Sequence, residues 1–354
     1  MKKAVILSFL FVPFWYVSAQ TDSASTQGYQ FKPVYEIKTT AVDDQQRAGT
    51  CWSYSVIGFV EAEMLRLGKD SIDLSELFVV RMVYSDKAER YVRMHGKFNF
   101  GGGGAVNDVI DVIKKYGIVP EETYTGLNYG TDVHTHGEVN EVLTAYLDAV
   151  IKNENRKLTT AWKRGFDAIL DAYFGKIPEK FNYKNKEYTP KTFAKEIVGI
   201  NPDEYIYLTS FSHHPFYQPF IVEVEDNWSW QSYYNLPIDE LIQSFDYAMQ
   251  NGYSIGWAAD VSEKGFSYKN GVAIVPEDEV KEMAGSERQK WEKLTKDEKA
   301  SLLYAFDKPI QEKNITQQMR QDAFDVYQTT DDHGMLMCGL DRKSTRLNSS
   351  HRIR

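Results

Sequence analysis

The stretch QQRAGTCWSYS, Gln45 to Ser55, holds one of the two cysteines of a 354-residue chain and lies where the sequence pattern turns helical. Trp52, Val56, Phe59, Val60, Met64 and Leu67 recur at three- and four-residue spacing, and Gly68 follows as a C-cap, so a helix is expected to begin at or beside Cys51. A thiol there faces unsatisfied backbone N–H groups and the positive end of the helix dipole, which lowers its pKa and makes it reactive. A free cysteine elsewhere is usually a small buried hydrophobe, and position alone leaves both readings of Cys51 open. Gln45, six residues earlier, offers a side-chain N–H that could join the Cys51 amide in holding an oxyanion, although a loop glutamine is commonly just solvated.

Working outward, 42% hydrophobic and 26% charged residues in a chain of this length make a sizeable core, enough for one large or two ordinary domains. Residues 1–19, MKKAVILSFLFVPFWYVSA, combine two lysines, an apolar run broken by Pro13, and the small residues of Val17-Ser18-Ala19, and read as a cleaved export signal. No cysteine follows the cut, which argues against a lipoprotein, and no later stretch is apolar enough to span a membrane. The expected location is periplasmic or extracellular. The formal charge of −9 understates the acidity of the body, because Lys2 and Lys3 leave with the signal and the last residues are basic. An acidic body argues against a nucleic-acid partner. Two cysteines in an exported chain raise the question of a Cys51–Cys338 disulfide.

After a Ser/Thr-rich leader, Tyr35–Ala41 reads as a short strand. Helices are expected from Ser75, from Val106 to Tyr116, from Glu138 to Asn153 and from Thr160 to Phe174, with Gly101–Gly104 as loop. Residues 131–245, with their charged helical stretches and Tyr- and Lys-rich connections, read as a helical insertion between an N-terminal half (20–130) and a β-rich C-terminal half (246–340). A strand follows His333, and the pattern breaks after Leu340. DRKSTRLNSSHRIR has no apolar periodicity, and its first eleven residues resemble the translation of a sequencing-adapter oligonucleotide, so 341–354 is read as a non-native tail.

Gln45 to Ser53 resembles the nucleophile segment of papain-like cysteine peptidases, in which a Gln stands six before the Cys of a Gly-x-Cys-Trp sequence. Ala48 stands where papain has another cysteine, a departure shared by the bleomycin hydrolase and aminopeptidase C branch. Leu74-Ser75-Glu76, Ser85-Asp86-Lys87-Ala88-Glu89-Arg90, Lys115–Pro120 and Tyr188–Phe193 are similar to segments of that branch, and the likeness runs over roughly residues 30 to 340. The resemblance implies an α+β, papain-like two-domain fold with a helical left domain and an antiparallel barrel-like right domain, the latter incomplete here. It implies that Gly103 and Gly104 line a substrate cleft. It further implies peptide substrates, no cofactor, and a homo-oligomer among the assemblies the family allows.

The base is then a histidine distant in sequence, and seven compete. His351 lies in the tail and His95 reads as a surface residue. His134-Thr135-His136 and His213-His214 hint at metal, but neither pair has an evident third ligand by spacing, so no metal site is assigned. His333 opens an apolar strand and resembles the catalytic His-Gly-Met segment of the family, which makes it the expected base for Cys51. Cys338, an odd five residues later, faces away from the imidazole side and reads as a packed thiol. The family's orienting asparagine sits in an Asn-Ser-Trp segment downstream of the histidine; Asn348-Ser349-Ser350 lacks the Trp and is not assigned. The expected protein is an exported cysteine peptidase acting as an aminopeptidase. The alternatives are an inert papain-like fold binding peptides or glycans through its aromatic surface and, more remotely, a zinc hydrolase built on the paired histidines.

Overall fold

A computed structural model describes residues 29–155, 157–277, 285–343 and 349–353. The export-signal segment 1–19 lies outside the described residues. In chain order the elements are β1 (Phe31–Glu36), α1 (Cys51–Arg66), α2 (Glu76–Arg93), α3 (Asn107–Tyr116), α4 (Gly137–Ile151), α5 (Ala161–Phe174), β2 (Phe181–Tyr183), β3 (Lys186–Tyr188), α6 (Pro190–Phe193), β4 (Leu208–Thr209), β5 (Pro219–Ile221) and β6 (Ser232–Asn235). There follow α7 (Ile238–Gln250), β7 (Ile255–Ala259), β8 (Phe266–Ser267), β9 (Val272–Ala273), α8 (Gly285–Glu292), α9 (Lys296–Leu303), α10 (Gln317–Asp325), β10 (His333–Lys343) and β11 (Ser349–Ile353). The class is α+β. No helix of the described residues is long and apolar enough to cross a membrane.

Two apolar cores meet at α1. The larger gathers Val56, Val60 and Met64 of α1 with Phe78 and Tyr84 of α2, Val109 and Ile113 of α3, Leu143 and Leu147 of α4, and Phe166, Leu170 and Phe174 of α5. The smaller holds Ile37, Met249, Leu336, Met337, Cys338 and Leu340, and Phe59 of α1 packs against both. Helix α1 is therefore buried nearly all round, not on one stripe as the apolar spacing suggested. Its buried Glu61 is tolerated because Oε1 accepts the Leu74 N–H at 2.8 Å and Oε2 accepts the Thr40 hydroxyl. Helix α2 starts where expected, with the Ser75 hydroxyl accepting the Phe78 N–H at 3.0 Å.

Segment 131–245 is less exclusively helical than its sequence suggested. Its first two helices belong to the larger core, but beyond them lie the β2–β3 hairpin and a three-stranded sheet in the order β4-β6-β5. The first strand also differs, forming at 31–36 and not at 35–41. It pairs antiparallel with β10 (Phe31 opposite Lys343, Glu36 opposite Gly339), so the partner's register decides which residues extend. Strand β10 runs past Leu340 to Lys343, and β11 pairs with it antiparallel, His351 opposite Leu340. Ladder bonds are made by backbone, so pairing extends into residues whose side chains carry no strand pattern.

Beyond the β1 and β11 pairings, β10 pairs with β7, His333 opposite Ala259, and the helix α1 lies across this sheet at very close range. A β-carbon on Gly334 would sit 2.9 Å from both Trp52 Cα and Ser55 Oγ; one on Gly256 would meet Val56 at 3.3 Å, and one on Gly58 would meet Leu336 at 3.4 Å. Gly334→Ala is expected to lower unfolding free energy by about 1–3 kcal/mol through overpacking, read as a drop in the urea midpoint. Gly137→Ala, where the added carbon meets nothing, should stay within about 0.5 kcal/mol of the parent.

Candidate functional site

Cys51 is the first residue of α1 and is partly exposed. The preceding Thr50 makes no side-chain cap and no acidic residue occupies the first turn, so the positive helix end is left for another negative group. The turn before it is pinned from outside. Arg47 N–H donates to the His134 carbonyl (3.1 Å), His136 N–H donates to the Arg47 carbonyl (3.2 Å), and Gln46 Oε1 accepts the His134 N–H. Gln46 has a φ of +57°, which lets the chain double back. Gln45 accepts the Ala48 N–H on its carbonyl at 3.3 Å, and among the described residues no hydrogen bond engages its side-chain amide.

Across from this turn, β10 begins. The Gly334 N–H donates to Cys51 Sγ at 3.3 Å, so a strand start 283 residues further along the chain lies directly on the thiol, with half-buried His333 as its immediate neighbour. Burial pushes the Cys51 thiol pKa up; the N–H groups of Gly334 and Trp52 pull it down, and the charges of Asp226 and Asp332 push it up again, leaving it raised. This corrects the expectation that a helix start alone would acidify the thiol: the desolvation and two carboxylates outweigh the N–H groups. Cys338 is fully buried within β10, and neither cysteine is in a disulfide, as the packed-thiol reading of Cys338 requires.

The glycine loop closes a third side. Trp52 Nε1 donates to the Gly102 carbonyl at 3.0 Å. Gly104 presses against the Trp52 ring, where a β-carbon would come within 2.7 Å, and Gly103 presses against the Asp226 carboxylate, where it would come within 2.1 Å. Beneath the loop the fully buried Lys87 donates to the carbonyls of Gly101 (3.1 Å) and Gly103 (2.8 Å). Burial lowers its pKa, with Asp226 and Asp108 opposing that. Buried Asp108 accepts the Ala105 N–H (3.0 Å) and the Trp228 indole N–H (2.6 Å); burial raises its pKa to about 7 against those bonds. Lys87 lies within the Ser85–Arg90 segment, but only the loop carbonyls reveal its task, and Asp226 and Trp228 carried no sequence signal.

The two histidine pairs have different roles. His134 and His136 are buried and hold the turn before Cys51 through their backbones. At His213 and His214 the fold supplies the third donor that spacing did not reveal: Glu223 lies 3.0 and 2.9 Å from the two Nε2 atoms, and all three ligand atoms fall within 4.8 Å. Gln321 Oε1 accepts the Ser212 N–H (2.7 Å), which turns its NH2 toward His213 Nδ1 (3.0 Å). Nδ1 is then the acceptor and Nε2 carries the proton toward Glu223, so His213 offers no Nε2 lone pair to a metal in this arrangement. The group acts as a hydrogen-bonded bracket between the β4–β5 connection and α10.

Comparisons with known proteins bear on the family and the fold. The model of the Peptidase C1-like family matches residues 16–303. Aminopeptidase G of Lactobacillus delbrueckii subsp. lactis is 23% identical over 264 residues, 64% of this chain and 60% of that protein. Aminopeptidase C of Listeria monocytogenes is 24% identical over 292 residues, 70% of this chain and 65% of that protein. The chain thus spans under two thirds of the length of these curated relatives. The crystal structure of PepW from Lactobacillus rhamnosis superimposes with a TM-score of 0.62 at 19% identity, covering 87% of this chain and 72% of PepW, which supports the papain-like arrangement of the fold.

Both ring nitrogens of His136 are buried without a hydrogen-bond partner, and burial, then the nearby His134, lowers its pKa from 6.5 to about 4. The unfolded chain then binds a proton that the native chain refuses, so this residue's contribution to stability is complete above about pH 6.5 and falls away as pH drops toward about 4. His136→Phe is therefore expected to gain stability relative to the parent as pH falls from 7 to 4.5, measured as the difference in urea midpoints. A difference that stays constant over that range would contradict this.

Proposed function

Because the chain belongs to the Peptidase C1-like family, we propose that it hydrolyses peptide bonds with Cys51 as nucleophile and His333 as general base, and that it removes residues from free N-termini. The observation that carries this reading is the 3.3 Å contact between Cys51 Sγ and the Gly334 N–H, which sets the strand opening at His333 against the thiol at the head of α1. A burial-raised thiol needs a nearby base to become a nucleophile, and an imidazole emerging from the start of β10 answers that need.

In the proposed cycle His333 takes the Cys51 proton and the thiolate attacks the carbonyl carbon. The uncapped N–H of Cys51 and the side-chain amide of Gln45 stabilise the oxyanion. His333 then protonates the leaving amine, and in the second half it activates a water that releases the acyl group from sulfur. Gly103 and Gly104 are the substrate-cleft residues of this reading, and their lack of side chains leaves room for the Asp226 carboxylate and the Trp52 ring beside the thiol. The aminopeptidases among the relatives favour exopeptidase action. The lysine-led apolar segment at residues 1–19 supports export.

Cleavage of an aminoacyl 4-nitroanilide should be abolished by iodoacetamide and unaffected by EDTA. Cys51→Ala should lower kcat/KM by about 10^4-fold or more, and His333→Ala by a comparable factor, since members of such a unit do not contribute additively. Cleavage that survives Cys51→Ala would refute the assignment.

A further inference from the structure

The loop between β5 and β6 reaches back to the thiol and brings a carboxylate that the chemistry above does not use. Asp226 is held there by its neighbours, not by its own bonds. Buried Asn227 donates to the carbonyls of Val222 and Gln231, each at 3.0 Å, and accepts the Gln231 N–H at 2.9 Å. Trp228 is tied to Asp108 at the head of α3. Between these anchors Asp226 lies on Gly103, within electrostatic reach of Cys51, and among the described residues no donor hydrogen-bonds its carboxylate.

The charged surroundings leave this carboxylate short of a partner. Lys87, on the far side of the glycine loop, directs its ammonium to the carbonyls of Gly101 and Gly103. Glu225 beside it adds negative charge, and the charge of Asp226 in turn raises the pKa of Asp331 ahead of β10. Burial pushes the Asp226 pKa up, Lys87 draws it down, and Glu225 pushes it up again. A partly buried carboxylate with no hydrogen-bonded donor is stabilised by a cation that brings several N–H donors.

We propose that Asp226 is a specificity-determining residue that receives the α-ammonium group of the substrate's first residue, so that the groove beyond the scissile residue ends on a negative charge. This rests on the peptidase reading above and deepens it. The carboxylate covers the Gly103 face along which a longer peptide would continue. A free α-amine supplies three N–H donors and a positive charge there, whereas an acylated nitrogen brings a bulky carbonyl acceptor against the carboxylate. The ammonium also cancels the charge by which Asp226 opposes ionisation of Cys51, so a bound substrate eases formation of its own nucleophile.

The test follows alkylation of Cys51 by iodoacetamide, read by peptide mass mapping, with L-leucinamide or N-acetyl-L-leucinamide as protectant. In the parent protein leucinamide should protect at a concentration at least about tenfold below its acetylated form, and Asp226→Asn should remove at least about tenfold of that advantage, the scale of one charged hydrogen bond. The same substitution should move the pH profile of alkylation downward, which a purely structural role would not do. Equal protection by the two amides in the parent, or no protection by leucinamide, overturns the proposal without reliance on the variant. Hydrolysis of leucine 4-nitroanilide, measured alongside, separates the two claims. Selective protection without hydrolysis leaves the amine site standing and removes the peptidase reading; equal hydrolysis of free and acetylated anilides does the reverse.

Discussion

The closeness of α1 to β10 at Gly334 is the constraint on which the rest of the structure depends. A helix and a sheet normally stand apart by the depth of their side chains. Here Gly58, Gly256 and Gly334 remove that depth at three contacts between the helix and the sheet. The consequence is local and chemical: the first turn of α1 drops onto the opening of β10, and the backbone N–H of Gly334 meets the thiol of Cys51. The two apolar cores lie on either side of this seam and hold it shut, with partly buried Phe59 packed against both. Close packing is what makes such a seam rigid, because interfaces at this density tolerate neither a void nor an extra methyl group.

Around the seam the electrostatics run against a free thiolate. Carboxylates gather near it: Asp226 and Asp332 act on Cys51 directly, and Asp331 has its pKa raised to about 7 by burial and then by the charge of Asp226. The ammonium of Lys87 is spent on loop carbonyls, and the helix end supplies a positive pole of its own. A resting thiol in this setting is guarded against ionisation until something positive arrives, whether an imidazolium on the β10 side or an ammonium on the Asp226 side. That division of labour would tie nucleophile formation to occupancy of the groove.

Much of this was legible in the sequence, and the exceptions have physical causes. The helix start at Cys51, the cap at Ser75, the glycine loop and the strand after His333 rest on local chemistry, so spacing and turn residues suffice to place them. The span of β1 depends on the register of a strand three hundred residues away, which no local pattern carries. Helix α1 reads as amphipathic because its buried polar residues, Ser53, Glu61 and Glu63 among them, mimic a solvent face. The roles of Lys87 and Asp226 arise from contacts between segments distant along the chain, and the convergence of Glu223 on two histidines has the same origin. Residues whose function is to touch a backbone leave little trace in composition or periodicity.

The central claim is that Cys51 and His333 act as a nucleophile and its base. The most direct measurement is the pH dependence of Cys51 alkylation by iodoacetamide in the parent and in His333→Ala, read by mass mapping without need of a substrate. If His333 takes the Cys51 proton, the imidazole offsets part of the upward push of burial and the carboxylates, and removing it moves the alkylation midpoint upward by about one unit or more. Identical profiles for the two proteins would contradict the pairing.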